Sequence, residues 1–522
     1  VFGFEPLIFW GWTFLALYMG MMLLFGVIGM RRVRSSDDFA TARASYGPLF
    51  LAFAMTATTA SGATFLGLPG LAYRAGMSAL WYAFIYPLAV YIGVMVCLHA
   101  IRRVGASFGS RSIPEYLGDR FDSDGLRLMA AVFSMLLLFY LAGQLLAGAV
   151  MFTQMLGLEL LQALCVTALV LMIYIALGGA HADILTDGVQ GALMLALACL
   201  VLWMFLTGFG IEGGFSGLLE RLEALDPTLV KPLNPEVPLF DSTWDIFAMF
   251  VAHLPLGLLP HIGNKLWALK DNRDQRRFII ISFVFGLLLP AITCGGILAR
   301  ALLGDELLAA GSSPNNAVPA LFVATLPAWA AALIGAGVLS AVMSTADGLV
   351  VSTAQIFAND IFRRTVAPRW MPQLTPAAVD RIGLRIGRIA TVAVLLAAIA
   401  LAWSTQHKNV ALLVWMGIGG MMAATAAPMF LGVLWRRATR QGALVGFFIG
   451  GAVFSVLHAG LVDPAWFSGS PMEAAGTWLA AQAVNPYACA TLGAACSVVA
   501  MVAVSLCTAP PSPEHLERVF GE

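Results

Sequence analysis

Hydrophobic runs of about twenty residues recur along the whole chain, separated by short polar connections that hold most of the charge. A helix needs about 20 apolar residues to cross the hydrocarbon of a bilayer. Runs of that kind lie near 7–30, 48–73, 78–101, 128–156, 160–178, 185–210, 245–266, 278–303, 327–362, 386–406, 409–435, 439–462 and 486–508. The pattern predicts an all-α polytopic membrane protein with about thirteen transmembrane helices. The ninth run is long enough to project from the membrane or lie tilted. The first exceeds a signal-peptide core and is followed by Arg31, Arg32 and Arg34, so it reads as a retained span.

Composition agrees with that reading. The chain is 60% hydrophobic and 11% charged, where a soluble chain carries about 25% charged residues. Its net charge of zero gives no argument for a nucleic-acid partner. The seven cysteines lie in apolar runs without Cys-x-x-Cys or Cys/His spacing and read as apolar fillers.

The basic residues orient the spans. Of 29 Lys and Arg, 24 fall in connections on the side that follows the first span. The other side has Arg74, Arg221, Lys231, Arg300 and Lys408. Cytoplasmic loops carry the excess of Lys and Arg. The N-terminus is therefore expected outside an inner (plasma) membrane and the C-terminus inside. Two longer connections, 211–244 and 463–485, then lie outside, and the tail 509–522 is too short for an output module.

Two spans are interrupted. The second carries Thr56 to Thr64, dense in small and hydroxyl residues, then Gly67-Leu68-Pro69-Gly70. The seventh reads His253-Leu254-Pro255-Leu256-Gly257-Leu258-Leu259-Pro260-His261, with prolines that no straight helix accommodates. Broken spans five apart are the mark of an inverted-repeat transporter, although Gly and Pro also merely kink packed membrane helices. The division expected is an extra helix and loop (1–47), a first repeat of spans 2–6 (48–211), an outer loop (212–244), a second repeat of spans 7–11 (245–435), and two further helices with a tail (436–522).

In the ninth span Ala341, Ser344 and Thr345 stand at i, i+3 and i+4, one face of a helix. Two hydroxyls and the Ala341 carbonyl offer three oxygens for a hard cation such as sodium. The carbonyls of Ala57 and Ala60 add two if the second span unwinds there. Ser and Thr in membrane helices also bond back to their own backbone or join helices, and spacing alone does not choose.

Several ordered motifs resemble the sodium:solute symporter family across nearly the whole chain. They are Ser61-Gly62 through Gly67-Leu68-Pro69-Gly70, the run Ser112 to Phe121, and Gly178-Gly179 through Thr186-Asp187-Gly188-Val189-Gln190-Gly191. Leu259-Pro260-His261-Ile262, Ala341 to Thr345 with Asn359-Asp360-Ile361, and Leu434 to Arg437 with Gly442-Ala443 complete the set. The resemblance implies a leucine-transporter-like five-plus-five inverted repeat with one helix before it and two after. It implies alternating access driven by sodium, with the ion at Ala57, Ala60, Ala341, Ser344 and Thr345. It puts Asp187 on the cytoplasmic exit path of the cation, where an Asp stabilising a helix N-terminus is the other reading.

The solute is then expected at the midplane, with Thr58, Ser61, Thr64, Gln144, His253 and His261 as candidate contacts. Free N–H groups at the breaks favour an anionic group. Leu259 to Ile262 resembles the acetate and monocarboxylate branch, the ninth span the proline and pantothenate branch. Some relatives place a carboxylate where this chain has Thr59, a departure that disfavours proline. The expected solute is small and carboxylate-bearing: a monocarboxylate first, pantothenate or an amino acid second. Na+ is the expected coupling ion, with no organic cofactor, and an enzyme is not expected, since no His/Asp/Glu cluster with metal spacing or nucleophile motif is read. The alternative function is a solute sensor working with a separate signalling partner.

Overall fold

The computed structural model describes residues 4–309, 312–406 and 410–521; Lys408 lies outside them. The described residues are helical apart from turns and one isolated bridge, Tyr46 to Leu269. Ten helices among them are long and apolar enough to cross a membrane, or eleven if the bent pair Thr243–Leu258 and Pro260–Ala268, angled by 49°, counts as one span. Thirteen were predicted from hydropathy, and the difference has a physical origin. The second run is cut into a short helix, Pro48–Thr59, and a second half that is continuous with the next helix over Ala63–Phe108. The fifth and sixth runs are two helices that meet at a kink at Gly179, whose backbone is not helical; the sixth, Gly179–Thr207, is long and apolar enough to span, while the described apolar stretch of the fifth, Leu160–Leu169, is shorter than a span. All seven cysteines are free thiols.

Three elements position the interior. Helix α1 (Pro48–Thr59) ends where Ala60 leaves helical geometry at φ −88° and ψ 75°. A π-helical turn, Ala63–Gly67, carries the chain on into α2 (Leu68–Ala75). Helix α3 (Ala328–Gln355) is buried along almost its entire length. In the seventh run, α4 (Thr243–His253) gives way at Pro255 to a 3-10 turn, and Leu259 is extended before Pro260 opens the second half. Both breaks meet α3. A Cβ on Gly348 would lie 2.8 Å from the His261 carbonyl oxygen and 3.2 Å from the Thr58 methyl. Only glycine lets the two broken segments approach that helix so closely.

On one face of the membrane region the short helix Ile113–Phe121 is capped by Ser112, whose Oγ accepts from the Glu115 N–H at 3.1 Å. Ser112 Oγ also donates to Asp360 at 2.9 Å, and buried Glu115 pairs with Arg363 at 2.5 Å and Arg364 at 3.4 Å. Asp119 holds Arg364 at 2.9 Å. The motif Ser112 to Phe121 thus clamps the far end of the ninth run.

Gly179 sits at φ 52° and ψ −138°, and a Cβ there would meet the Phe39 ring at 2.5 Å. Gly179→Ala combines a backbone region essentially confined to glycine, costing about 1–3 kcal/mol, with that clash. The expected result is a lower Tm in detergent; an unchanged Tm would show that the bend does not need glycine.

Candidate functional site

Backbone groups freed at a helix break inside a membrane must find partners, and those partners define the site. Ser344 Oγ donates to the Ala57 carbonyl at 2.8 Å and lies 3.4 Å from the Ala341 carbonyl. Thr345 Oγ1 donates to the Thr58 carbonyl at 3.1 Å and also lies 3.4 Å from the Ala341 carbonyl. Two hydroxyls and three carbonyls from the end of α1 and one turn of α3 therefore converge, all on fully buried residues. Ala60 stands at the break itself, two residues beyond Thr58. The Thr58 carbonyl is the member that spacing in the ninth span did not single out; it lies one residue past Ala57, where α1 is about to end.

The rest of the break is satisfied locally. The Thr59 carbonyl accepts from the Tyr86 hydroxyl. The Gly62 N–H donates to Gln144 Oε1 at 3.1 Å, and the Ala63 N–H to Ser61 Oγ at 3.1 Å. The Gln144 amide nitrogen is buried without a hydrogen-bond partner.

A chamber of about 50 Å³ opens beside the break, lined by Thr59, Ser61, Thr64, Tyr82, Tyr86, Tyr140, His253, Trp415 and neighbouring apolar side chains. It shares Ala63, Leu68, Tyr82, Val414 and Trp415 with a vestibule of about 150 Å³ that also includes Arg74, Asn315 and Tyr487. Among the described residues no acid, lysine or arginine lines the chamber; Arg74 stands in the vestibule.

His253 Nδ1 lies 2.7 Å from the Met249 carbonyl, and Nε2 lies 3.0 Å from the Tyr82 hydroxyl. A carbonyl only accepts, so Nδ1 carries the proton and Nε2 of the neutral ring accepts from Tyr82. The ring is held by Tyr82, Tyr86, Trp415 and Tyr487, with centroids 5.2 to 5.7 Å away.

The six candidate solute residues thus separate. Ser61, Thr64 and His253 line the chamber, and Gln144 stands behind it on the Gly62 N–H. His261 packs edge-on against Tyr140 at 5.4 Å but lines a different, inner cavity of about 10 Å³ with Asp183, Asn264 and Lys265. Thr58 turns its hydroxyl the same way, 2.6 Å from Asp187 Oδ2 and 2.6 Å from Lys265 Nζ.

The group around Lys265 corrects the expectation that there is no His/Asp/Glu cluster with metal spacing. Asp183, Asp187 and Asp347 bring carboxylate oxygens within 4.8 Å of one another, all buried. Lys265 Nζ lies 2.9 Å from Asp183 and pairs with Asp187. The i, i+4 pair Asp183/Asp187 was the one signal of it in the sequence; Asp347 and Lys265 come from distant spans.

Residues 39–450 match the sodium:solute symporter family. The sodium/pantothenate symporter of Escherichia coli is 28% identical over 453 residues, 84% of this chain and 88% of that one. The sodium/proline symporter of Salmonella typhimurium is 28% identical over 460 residues, covering 84% and 85%. Among solved structures, a Na+-coupled sialic acid symporter in a substrate-bound, outward-open state superposes with a TM-score of 0.76 over 96% of this chain and 98% of that one, at 20% identity. A nucleobase-cation-symport-1 family transporter in a closed conformation gives 0.53 at 14% identity, covering 94% of this chain and 100% of that one. With a family match spanning most of its length and a shared transporter fold, this chain belongs to the sodium:solute symporter family: it is a multi-pass membrane transporter and not an enzyme.

Proposed function

We propose that the chain is a sodium-coupled symporter that imports a small carboxylate-bearing solute by alternating access. The observation that carries this reading is the approach of Ser344 and Thr345 to the Ala57 and Thr58 carbonyls across the break. These hydroxyls donate to the carbonyls. With sodium between them each hydroxyl turns its proton away, and Ala57, Ala60, Ala341, Ser344 and Thr345 present oxygens to the ion, joined by Thr58. A site without a carboxylate releases its ion readily, as a transport cycle requires. The two broken segments meeting on α3 support a five-plus-five inverted repeat within thirteen spans. The concentration of arginines around Glu115 and Asp119 supports a cytoplasmic location for that face. The N-terminus is then outside and the C-terminus inside.

The chamber fits a small solute with one anionic group. Hydroxyls of Ser61, Thr64, Tyr86 and Tyr140 can donate, and Arg74 in the vestibule attracts an anion without neutralising it inside. Asp187, held by Thr58 and Lys265, stands on the inner side of the ion cage, which supports its role on the cation's exit path.

Uptake of labelled acetate, pyruvate, pantothenate and proline into proteoliposomes tests the reading. One of these is expected to accumulate under an inward sodium gradient; equilibration that ignores sodium would point to a facilitator. In Ser344→Ala/Thr345→Ala the sodium concentration for half-maximal uptake is expected to rise at least about tenfold, one hydroxyl contributing about 1 kcal/mol; an unshifted sodium dependence would remove the proposed cage. His253→Leu removes the acceptor for Tyr82 and is expected to raise KM for the solute about tenfold while leaving sodium half-saturation in place. A normal KM would take His253 out of the solute site.

A further inference from the structure

Lys265 carries its ammonium into a group of buried carboxylates. Its ammonium lies 2.9 Å from Asp183 Oδ2 and 2.6 Å from Thr58 Oγ1, and it pairs with Asp187 Oδ2. Two carboxylate oxygens and a hydroxyl around one point are a donor set for a hard cation. The second oxygens of Asp183 and Asp187 are buried without a hydrogen-bond partner. Asp347, whose Oδ2 accepts from Thr186 at 3.1 Å, adds a third carboxylate within 4.8 Å. Both ring nitrogens of His261, beside the same inner cavity, also lack hydrogen-bond partners. The group therefore has more acceptor capacity than the one ammonium uses.

This group is distinct from the proposed sodium cage but touches it. Thr58 serves both, its carbonyl taking the Thr345 hydroxyl and its own hydroxyl meeting Lys265. The lysine comes from the second half of the broken seventh run, the 3-10 segment Asn264–Ala268. Its charge is tethered to an element that already departs from regular helix.

We propose that Lys265 is a resident cation: its ammonium fills a second cation site built by Asp183, Asp187 and Thr58, and so limits the chain to one exchangeable sodium. The inference rests on the sodium reading of the Ser344/Thr345 cage. Removing the ammonium uncovers the second site: a buried carboxylate pair left without a counter-charge is costly, and a cation taken up from solution removes that cost. Lys265→Arg keeps the charge and keeps the count at one.

Equilibrium binding of radioactive sodium to the purified full-length protein in detergent tests this. The expected count is one sodium per chain for wild type and two for Lys265→Ala. Adding Ser344→Ala/Thr345→Ala to Lys265→Ala should leave one, now at the uncovered site. If Lys265→Ala is not recovered as a monodisperse protein, Lys265→Gln, which keeps most of the side-chain volume and both carboxylates but not the charge, is expected to bind two as well. A count that stays at one in the recovered lysine variant, or a wild type that already binds two, overturns the proposal. The sodium cage fails separately: wild-type binding untouched by Ser344→Ala/Thr345→Ala removes that cage, while a gain of one sodium on loss of Lys265 still supports the resident cation.

Discussion

A helix cannot be broken in hydrocarbon unless every freed backbone group is given a partner, and the interior of this protein is organised around that requirement. The break after Thr59 releases carbonyls at Ala57, Thr58 and Thr59 and N–H groups at Gly62 and Ala63. Ser344, Thr345 and Tyr86 serve the carbonyls; Gln144 and Ser61 serve the N–H groups. These partners come from three other helices and from the break itself, so the interruption ties the interior together. Each of these polar contacts is also one that an ion or a solute can replace. A hydroxyl that satisfies a carbonyl here would become a cation ligand in the proposed sodium site when its proton turns away. Structural satisfaction and binding therefore use the same atoms.

The long helix Ala328–Gln355 is the common surface for both interrupted segments. Its Ser344 and Thr345 face one break, and Gly348, one turn further, admits Thr58 from the first segment and His261 from the second. Movement of either segment alters contacts on this helix. That is a physical route by which occupancy of the proposed ion cage would be felt at the chamber on one side and at the Lys265 group on the other. The two histidines of the seventh run fall on opposite sides of its break, His253 in the aromatic chamber and His261 by the inner cavity. One short segment therefore borders both compartments.

Much of this was legible in the sequence, for reasons that can be named. Apolar run length reports the membrane directly, and among the described residues each predicted run is mainly helical. The count differs because hydropathy does not sense the interruption at Ala60 or the join of Ala63–Phe108. Pro255, Pro260 and the hydroxyl-rich stretch from Thr56 marked both interruptions, since those residues act on the backbone locally. Ala341, Ser344 and Thr345 were visible as one helical face. What stayed hidden depends on contacts between distant spans. Lys265 and Asp187 are 78 residues apart, and Thr186 and Asp347 are 161 apart. Lys265 stands near the end of an apolar run, where nothing local marks it as buried, and is 4% exposed. The aromatic wall of the chamber was equally silent, because Tyr82, Tyr86 and Trp415 look like ordinary membrane aromatics until the helices are assembled.

The central claim is that sodium binds at the interrupted backbone between residues 57 and 60. Amide hydrogen exchange with and without sodium, read by mass spectrometry on the purified protein, tests it most directly, because exchange reports local opening of the backbone. The account predicts that sodium slows exchange across residues 56–64 in the wild type and leaves it unaltered in Ser344→Ala/Thr345→Ala. Equal exchange in this segment with and without sodium in the wild type, alongside sodium protection elsewhere in the chain, would contradict it.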